Sequence, residues 1–218
     1  MLEDSKLGEA RPVRQRLIDA GERLFADHGW QAVSIRTIAA EAQVSLAALN
    51  YHFGEKESLL AEIFAARARP IAAERSRLLA AIQPDATLEQ VIEAFLRPAL
   101  TAGSEFGGRV FVKLRARLAA EPEALCRRIL TDAFDESSRQ YIAALQALVP
   151  EIPAETLFWR FHFLLGTMVY TMADAGRIQS MTHGRCDPGD AEAALRELVP
   201  FLAAGFRATE NKRPSRKK

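Results

Sequence analysis

The stretch Val44–Lys56, VSLAALNYHFGEK, sets Asn50, Tyr51, His52 and Phe53 side by side, behind a methyl-rich start and ahead of Gly54. A helix made only for packing would not crowd four such residues at its end. Ser45 at its start offers a hydroxyl and free backbone N–H groups, which suit a phosphate. Ala47 and Ala48 leave room for a close backbone approach and offer methyls to a thymine methyl. Tyr51 and His52 can donate to phosphates, and Lys56 opens the next helix on the same side. The chemistry is that of contact with duplex DNA.

The elements that must position these groups are all helices. Apolar residues recur at three and four along almost the whole chain, so no strand is expected. Val13, Leu17, Gly21, Leu24 and Phe25 line one face of a first helix, which Gly29 stops. Ser34 caps a short second helix carrying Ile35, Ile38, Ala39 and Ala42. Ser45 caps the third, and Phe53-Gly54 ends it. Only Gln43-Val44-Ser45 separates the second helix from the third, the spacing of a helix-turn-helix whose second helix enters a major groove.

A long fourth helix is expected from near Glu55 to about Ile82, with Pro70 removing one of its backbone hydrogen bonds. Further helices are expected at about 87–102, 104–120, 122–149, 153–181 and 188–208, joined by short loops as in a bundle. The fold class is therefore all-α with about nine helices. Residues 1–54 are expected to form the helix-turn-helix head, 55–210 a larger helical domain, and 211–218 a disordered basic tail.

Composition narrows the function. A chain of 218 residues with net charge +1 is no globally basic nucleic-acid coat. Within residues 1–60, seven Lys and Arg stand against nine Asp and Glu, so DNA contact must come from a few well-placed groups. Cys126 and Cys186 lie far apart with no Cys-x-x-Cys spacing, which favours a reducing cytoplasm over a disulfide framework. The polar start MLEDSKLGEA does not read as a signal peptide. The longest apolar run, Phe161–Ala173, is too short for the ~20 residues of a membrane span. There is no Gly-rich phosphate loop, no His-Glu-x-x-His and no Ser-centred elbow, so neither an enzyme, a metal site nor a cofactor is expected.

Ser34–Leu60, SIRTIAAEAQVSLAALNYHFGEKESLL, resembles the DNA-binding segment of TetR-family transcriptional regulators over roughly residues 11–60. The resemblance implies an all-α homodimer with 55–210 as its effector-binding and dimerisation domain, acting as a repressor released from palindromic operator DNA by a small ligand. On the matching positions, Arg36, Thr37, Ser45, Leu46, Ala47, Ala48, Asn50, Tyr51 and His52 would face the DNA, with Lys56 on a phosphate. Two departures stand out. Gln43 replaces the usual Gly, so the turn is expected to carry left-handed strain. Asn50 replaces the commoner Tyr and offers an amide able to read adenine.

The stretches ARARPI, GRVFVKLRARLAAEP and WRFHFLLG are similar to the subgroup that includes fatty-acid-responsive regulators. That likeness implies a small hydrophobic effector of the fatty-acid or acyl-CoA kind. Phe64, Phe95, Phe111, Phe134, Trp159 and Phe163 are the candidate pocket lining, and Arg115, flanked by Phe111, Leu114 and Leu118, the candidate partner for an acidic group. Leu157, Phe161, Leu164, Leu165, Met168 and Met172 form one apolar stripe, yet Phe158, His162, Val169 and Tyr170 cover much of the remaining surface. A helix apolar on nearly all sides must be covered on nearly all sides. With the regular spacing of the last helix, this points to a four-helix interface between two copies.

Overall fold

The computed structural model describes residues 12–105, 108–118, 120–173 and 176–208, and among them finds helices and no strands. In order these are α1 (Val13–His28), α2 (Ile35–Glu41), α3 (Leu46–Phe53), α4 (Lys56–Ile82), α5 (Leu88–Glu105), α6 (Gly108–Leu118), α7 (Glu123–Leu148), α8 (Ala154–Ala173), α9 (Arg177–Met181) and α10 (Ala191–Arg207). The expected helix over 153–181 is two elements. Gly176 adopts the left-handed conformation at φ 83° directly before α9, a backbone that no continuing helix can use. The final helix starts at Ala191, not 188, because the Asp190 carboxylate accepts the Ala193 N–H at 3.0 Å and caps it there. α4 stays helical through Pro70. The expected basic tail lies outside the described residues.

The chain divides into two compact units. One holds residues 1–70 and 104–135, the other 71–103 and 136–218. The boundary passes through α4, α5 and α7 themselves, and so differs from the division drawn from the sequence at residue 54.

The first unit has one apolar core, built from Leu17, Phe25, Ile38, Leu49, Leu60, Phe64, Phe111 and Leu118 among others. Gly21 lets α1 approach α4 closely: a Cβ there would meet Ile63 and Leu59 at 3.1 Å each. The next residue of α1, Glu22, is buried, and both its oxygens accept hydrogen bonds from the Arg67 guanidinium, the Nε bond at 2.9 Å.

The second unit centres on Phe95, whose ring meets those of Tyr141 and Phe161 at 5.1 and 5.2 Å. Arg75 is buried with them. Its Nε donates to the Phe95 carbonyl at 2.9 Å, its guanidinium lies 3.6 Å over the Phe95 ring, and its own carbonyl accepts the Tyr141 hydroxyl at 2.7 Å. Burial pushes the Tyr141 phenol above the usual tyrosine range. On α8, Leu157, Phe161, Leu164 and Met168 turn inward at helical spacing. α10 runs back along α8: Arg160, near the start of α8, donates to the carbonyl of Phe206, near the end of α10, at 2.7 Å.

Candidate nucleic-acid interface

α3 is held from one side only. Leu49 is wholly buried, while Asn50, Tyr51 and His52 are exposed, Tyr51 at 87% of its surface. Ser45, Ala47, Arg36 and Thr37 are exposed as well, and Leu46 and Ala48 lie half-buried. The caps form as expected. The Ser34 hydroxyl oxygen accepts the Thr37 N–H and the Ser45 hydroxyl oxygen accepts the Ala48 N–H, both at 3.1 Å. The Ser45 hydroxyl keeps its own proton for another acceptor, whereas that of Ser34 also shares a 2.8 Å hydrogen bond with the Thr37 hydroxyl.

The turn between α2 and α3 shows the departure the sequence announced. Gln43 has φ 54°, its N–H donates to the Ala40 carbonyl, and the Val44 N–H donates to the Ala39 carbonyl, both at 3.0 Å. This is a Schellman closure with glutamine at the left-handed position where glycine costs least. Arg16 of α1 reinforces it, donating from Nε and Nη2 to the Ala42 carbonyl at 3.0 and 2.7 Å and from Nη2 to that of Gln43. Sequence reading missed Arg16. Its partners lie 26 and 27 residues away, and no local pattern points to them.

Lys56 is a correction. Its ammonium donates to the carbonyls of Trp30 and Val33 at 2.8 and 2.9 Å and sits 4.2 Å over the Trp30 ring. Burial pushes it below the usual lysine range, and the nearby Glu121 carboxylate draws it partly back. The same Glu121 accepts the Trp30 N–H at 2.8 Å. Lys56 thus fastens the α1–α2 connection and has little left for a phosphate. Lys56→Met is expected to lower the stability of the chain by about 1–3 kcal/mol while leaving the salt dependence of DNA binding unchanged. Loss of one phosphate contact would instead reduce the slope of log K against log salt by about 0.9, which salt titrations of both proteins decide.

The aromatic candidates for an effector pocket divide between the units. Phe64 and Phe111 pack ring to ring at 5.2 Å inside the first core, and Phe95 is central to the second. These three are core residues. Trp159 and Phe163 are 57% and 58% exposed and belong to an outer face. Arg115 lies half-buried over the Phe134 ring at 4.9 Å, and burial pushes its guanidinium down to about 10. Among the described residues no carboxylate pairs with it.

Two short capped helices, the second clamped from behind and bare in front, define a helix-turn-helix DNA-binding protein. The chain belongs to the TetR family of transcriptional regulators. Residues 17–63 match the family described as bacterial regulatory proteins, tetR family, and residues 93–205 match the tetracyclin repressor-like C-terminal domain. The HTH-type transcriptional regulator BetI of Rhizobium meliloti is 30% identical over 147 residues, 67% of this chain and 71% of BetI. The dual regulator CecR of Shigella flexneri is 38% identical over 80 residues, about a third of each protein: 34% of this chain and 35% of CecR. Among solved structures, a bacterial regulatory protein of the family from Rhodococcus RHA1 superposes with TM-score 0.66 at 17% identity, covering 92% of this chain and 100% of that one. FadR of Bacillus subtilis, solved in complex with stearoyl-CoA, gives 0.59 at 17% identity, covering 88% and 98%. These two likenesses establish the fold. No described helix is long and apolar enough to cross a membrane.

Proposed function

We propose that the protein is a cytoplasmic, homodimeric repressor that leaves a palindromic operator when a small hydrophobic effector binds. Residues 1–54 form the reading head, and 55–210 the effector and dimerisation domain. The observation that carries the reading is α3 itself. Leu49 anchors it while Asn50, Tyr51 and His52 are exposed, as are Arg36 and Thr37 of α2. Asn50 reads a base, and Tyr51, His52, Ser45 and Arg36 take phosphates; Lys56 is left out.

The effector side rests on Arg115. A desolvated guanidinium beside an aromatic ring, with no carboxylate paired to it among the described residues, suits an acid group at the end of an apolar ligand. A fatty acid or its CoA ester has that form, and FadR of Bacillus subtilis was solved with such a ligand.

The test is a titration of pure protein against its own upstream DNA and a scrambled duplex at two salt concentrations. Preference for the native duplex by tenfold or more supports the reading, and equal affinity at moderate salt overturns it. Within that assay, Asn50→Ala is expected to cost roughly 1–3 kcal/mol and to relax preference at a single base pair. Tyr51→Phe is expected to weaken binding evenly across sequences. A selection experiment in which Asn50→Ala keeps its full base preference removes the base-reading role.

A further inference from the structure

A cleft of roughly 640 Å³ opens where the end of α8, the short α9 and the start of α10 meet, wholly inside the second unit. Its apolar lining includes Tyr170, Ile178, Met181 and Leu198, and its charged lining includes Arg177, Arg185 and Arg196. The volume falls within the range of small-molecule sites, which pair apolar walls with a few convergent polar groups.

The wall is fixed before any ligand arrives. His183 at φ 52° closes α9 in a Schellman turn: the Gly184 N–H reaches the Gln179 carbonyl at 2.8 Å, and the His183 N–H reaches that of Ser180 at 3.3 Å. The Thr182 hydroxyl accepts the Cys186 N–H at 3.1 Å, the Asp187 carboxylate accepts the Gly189 N–H at 2.9 Å, and Asp190 caps α10. Arg185 is carried on this braced loop.

Charge singles the cleft out. Elsewhere in this unit Arg77, Arg97, Arg139 and Arg207 are each paired with a carboxylate. Among the described residues, no guanidinium of Arg177, Arg185 or Arg196 makes a hydrogen bond or ion pair, although Arg196 lies near enough to Glu192 to help hold that carboxyl below its usual range. Two acidic residues, Asp187 and Glu197, also line the cleft. They leave it one positive charge in excess, and Asp187 is turned to Gly189.

We propose that this cleft is a second ligand site, distinct from the effector site, for an organic anion with a compact apolar body. The acid group binds Arg177, Arg185 and Arg196, and the body lies against Ile178 and Leu198. Guanidinium groups give an acid two parallel N–H donors each, and the apolar wall rejects a fully hydrated inorganic ion.

Cys186 lies in the cleft lining and is exposed, so its thiol reports occupancy; Cys126, in the other unit, serves as internal reference. The experiment follows alkylation of both cysteines by N-ethylmaleimide, without DNA, in the presence of 2-naphthalenesulfonate or its cationic counterpart 2-naphthylmethylammonium. The sulfonate is expected to slow Cys186 saturably, by roughly fivefold or more, and to leave Cys126 unchanged, whereas the cation slows neither. The exposed double variant Arg177→Gln/Arg196→Gln, checked for unchanged thermal unfolding, is expected to need at least ten times more sulfonate, on the order of 1.4 kcal/mol of lost affinity. Absence of protection, equal protection by the cation, or unaltered protection in the double variant overturns the proposal. So does protection that tracks a change in sedimentation, which would assign it to association of chains.

Discussion

Glu22→Ala is expected to be the most damaging single change in the first unit, lowering stability by about 3 kcal/mol or more in urea unfolding followed by circular dichroism. Glu22 is 3% exposed, and both its oxygens are taken by Arg67. Removing the carboxylate deletes little apolar contact but leaves a half-buried guanidinium with only the weaker pull of Asp19. The cost falls at the lower end of the usual range because the Arg67 side chain keeps 24% of its surface for water to reach. The double variant Glu22→Ala/Arg67→Met is expected to recover most of the loss, since it removes the stranded charge. A single variant within about 0.5 kcal/mol of the parent would mean that the pair contributes little.

Phe163→Glu is expected to have the largest effect on DNA binding of any change outside the reading head. Phe158, Trp159 and Phe163 of α8 are between 55% and 58% exposed, and Phe201 of α10 is 67% exposed. An outer face this aromatic suits burial against its own copy in an isologous interface. In such an interface a carboxylate at 163 would be carried, unpaired, into an apolar seam. Sedimentation is expected to show monomers at micromolar concentration, with operator affinity lowered by roughly 100-fold or more because two half-sites are no longer bound together. The folding stability of the chain is expected to change by less than about 0.5 kcal/mol, since Phe163 is not a core residue. A dimer that survives the substitution would place the interface elsewhere.

The helical architecture and the reading head were legible because both are written locally. Three-and-four spacing, the serine caps at 34 and 45 and the three-residue turn each draw on neighbours within one helical turn. The strain at Gln43 was legible for the same reason. What was not legible depends on partners distant in sequence. Lys56 could be placed at the start of the fourth helix but was read as facing the DNA, because the carbonyls of Trp30 and Val33 that hold it are 26 and 23 residues away. Arg16 looked like any charged residue on an amphipathic helix. The break before α9 hid because residues 172–181 contain ordinary helix formers, and a single glycine carries the left-handed turn. The effector aromatics were ambiguous in kind: a ring buried in a core and a ring lining a pocket have the same spacing. Phe64, Phe95 and Phe111 proved to be the former.

The first unit, finally, bears on how this protein can be taken apart. The rings and chains that cover Leu17 and Phe25 come from Leu59, Ile63 and Phe64, and further on from Phe111, Leu114, Leu118 and Leu125. A gene fragment ending at residue 54 would encode every proposed DNA contact but would leave out the share of the core that α4, α6 and α7 supply. Such a fragment is expected to be soluble only as a loose, protease-sensitive chain. Grafting this specificity onto another scaffold therefore calls for two discontinuous pieces, 12–70 and 108–135, joined by a new connection. Recombination between regulators of this kind is subject to the same constraint: a crossover near residue 54 divides a core, whereas exchange of both pieces together keeps it whole.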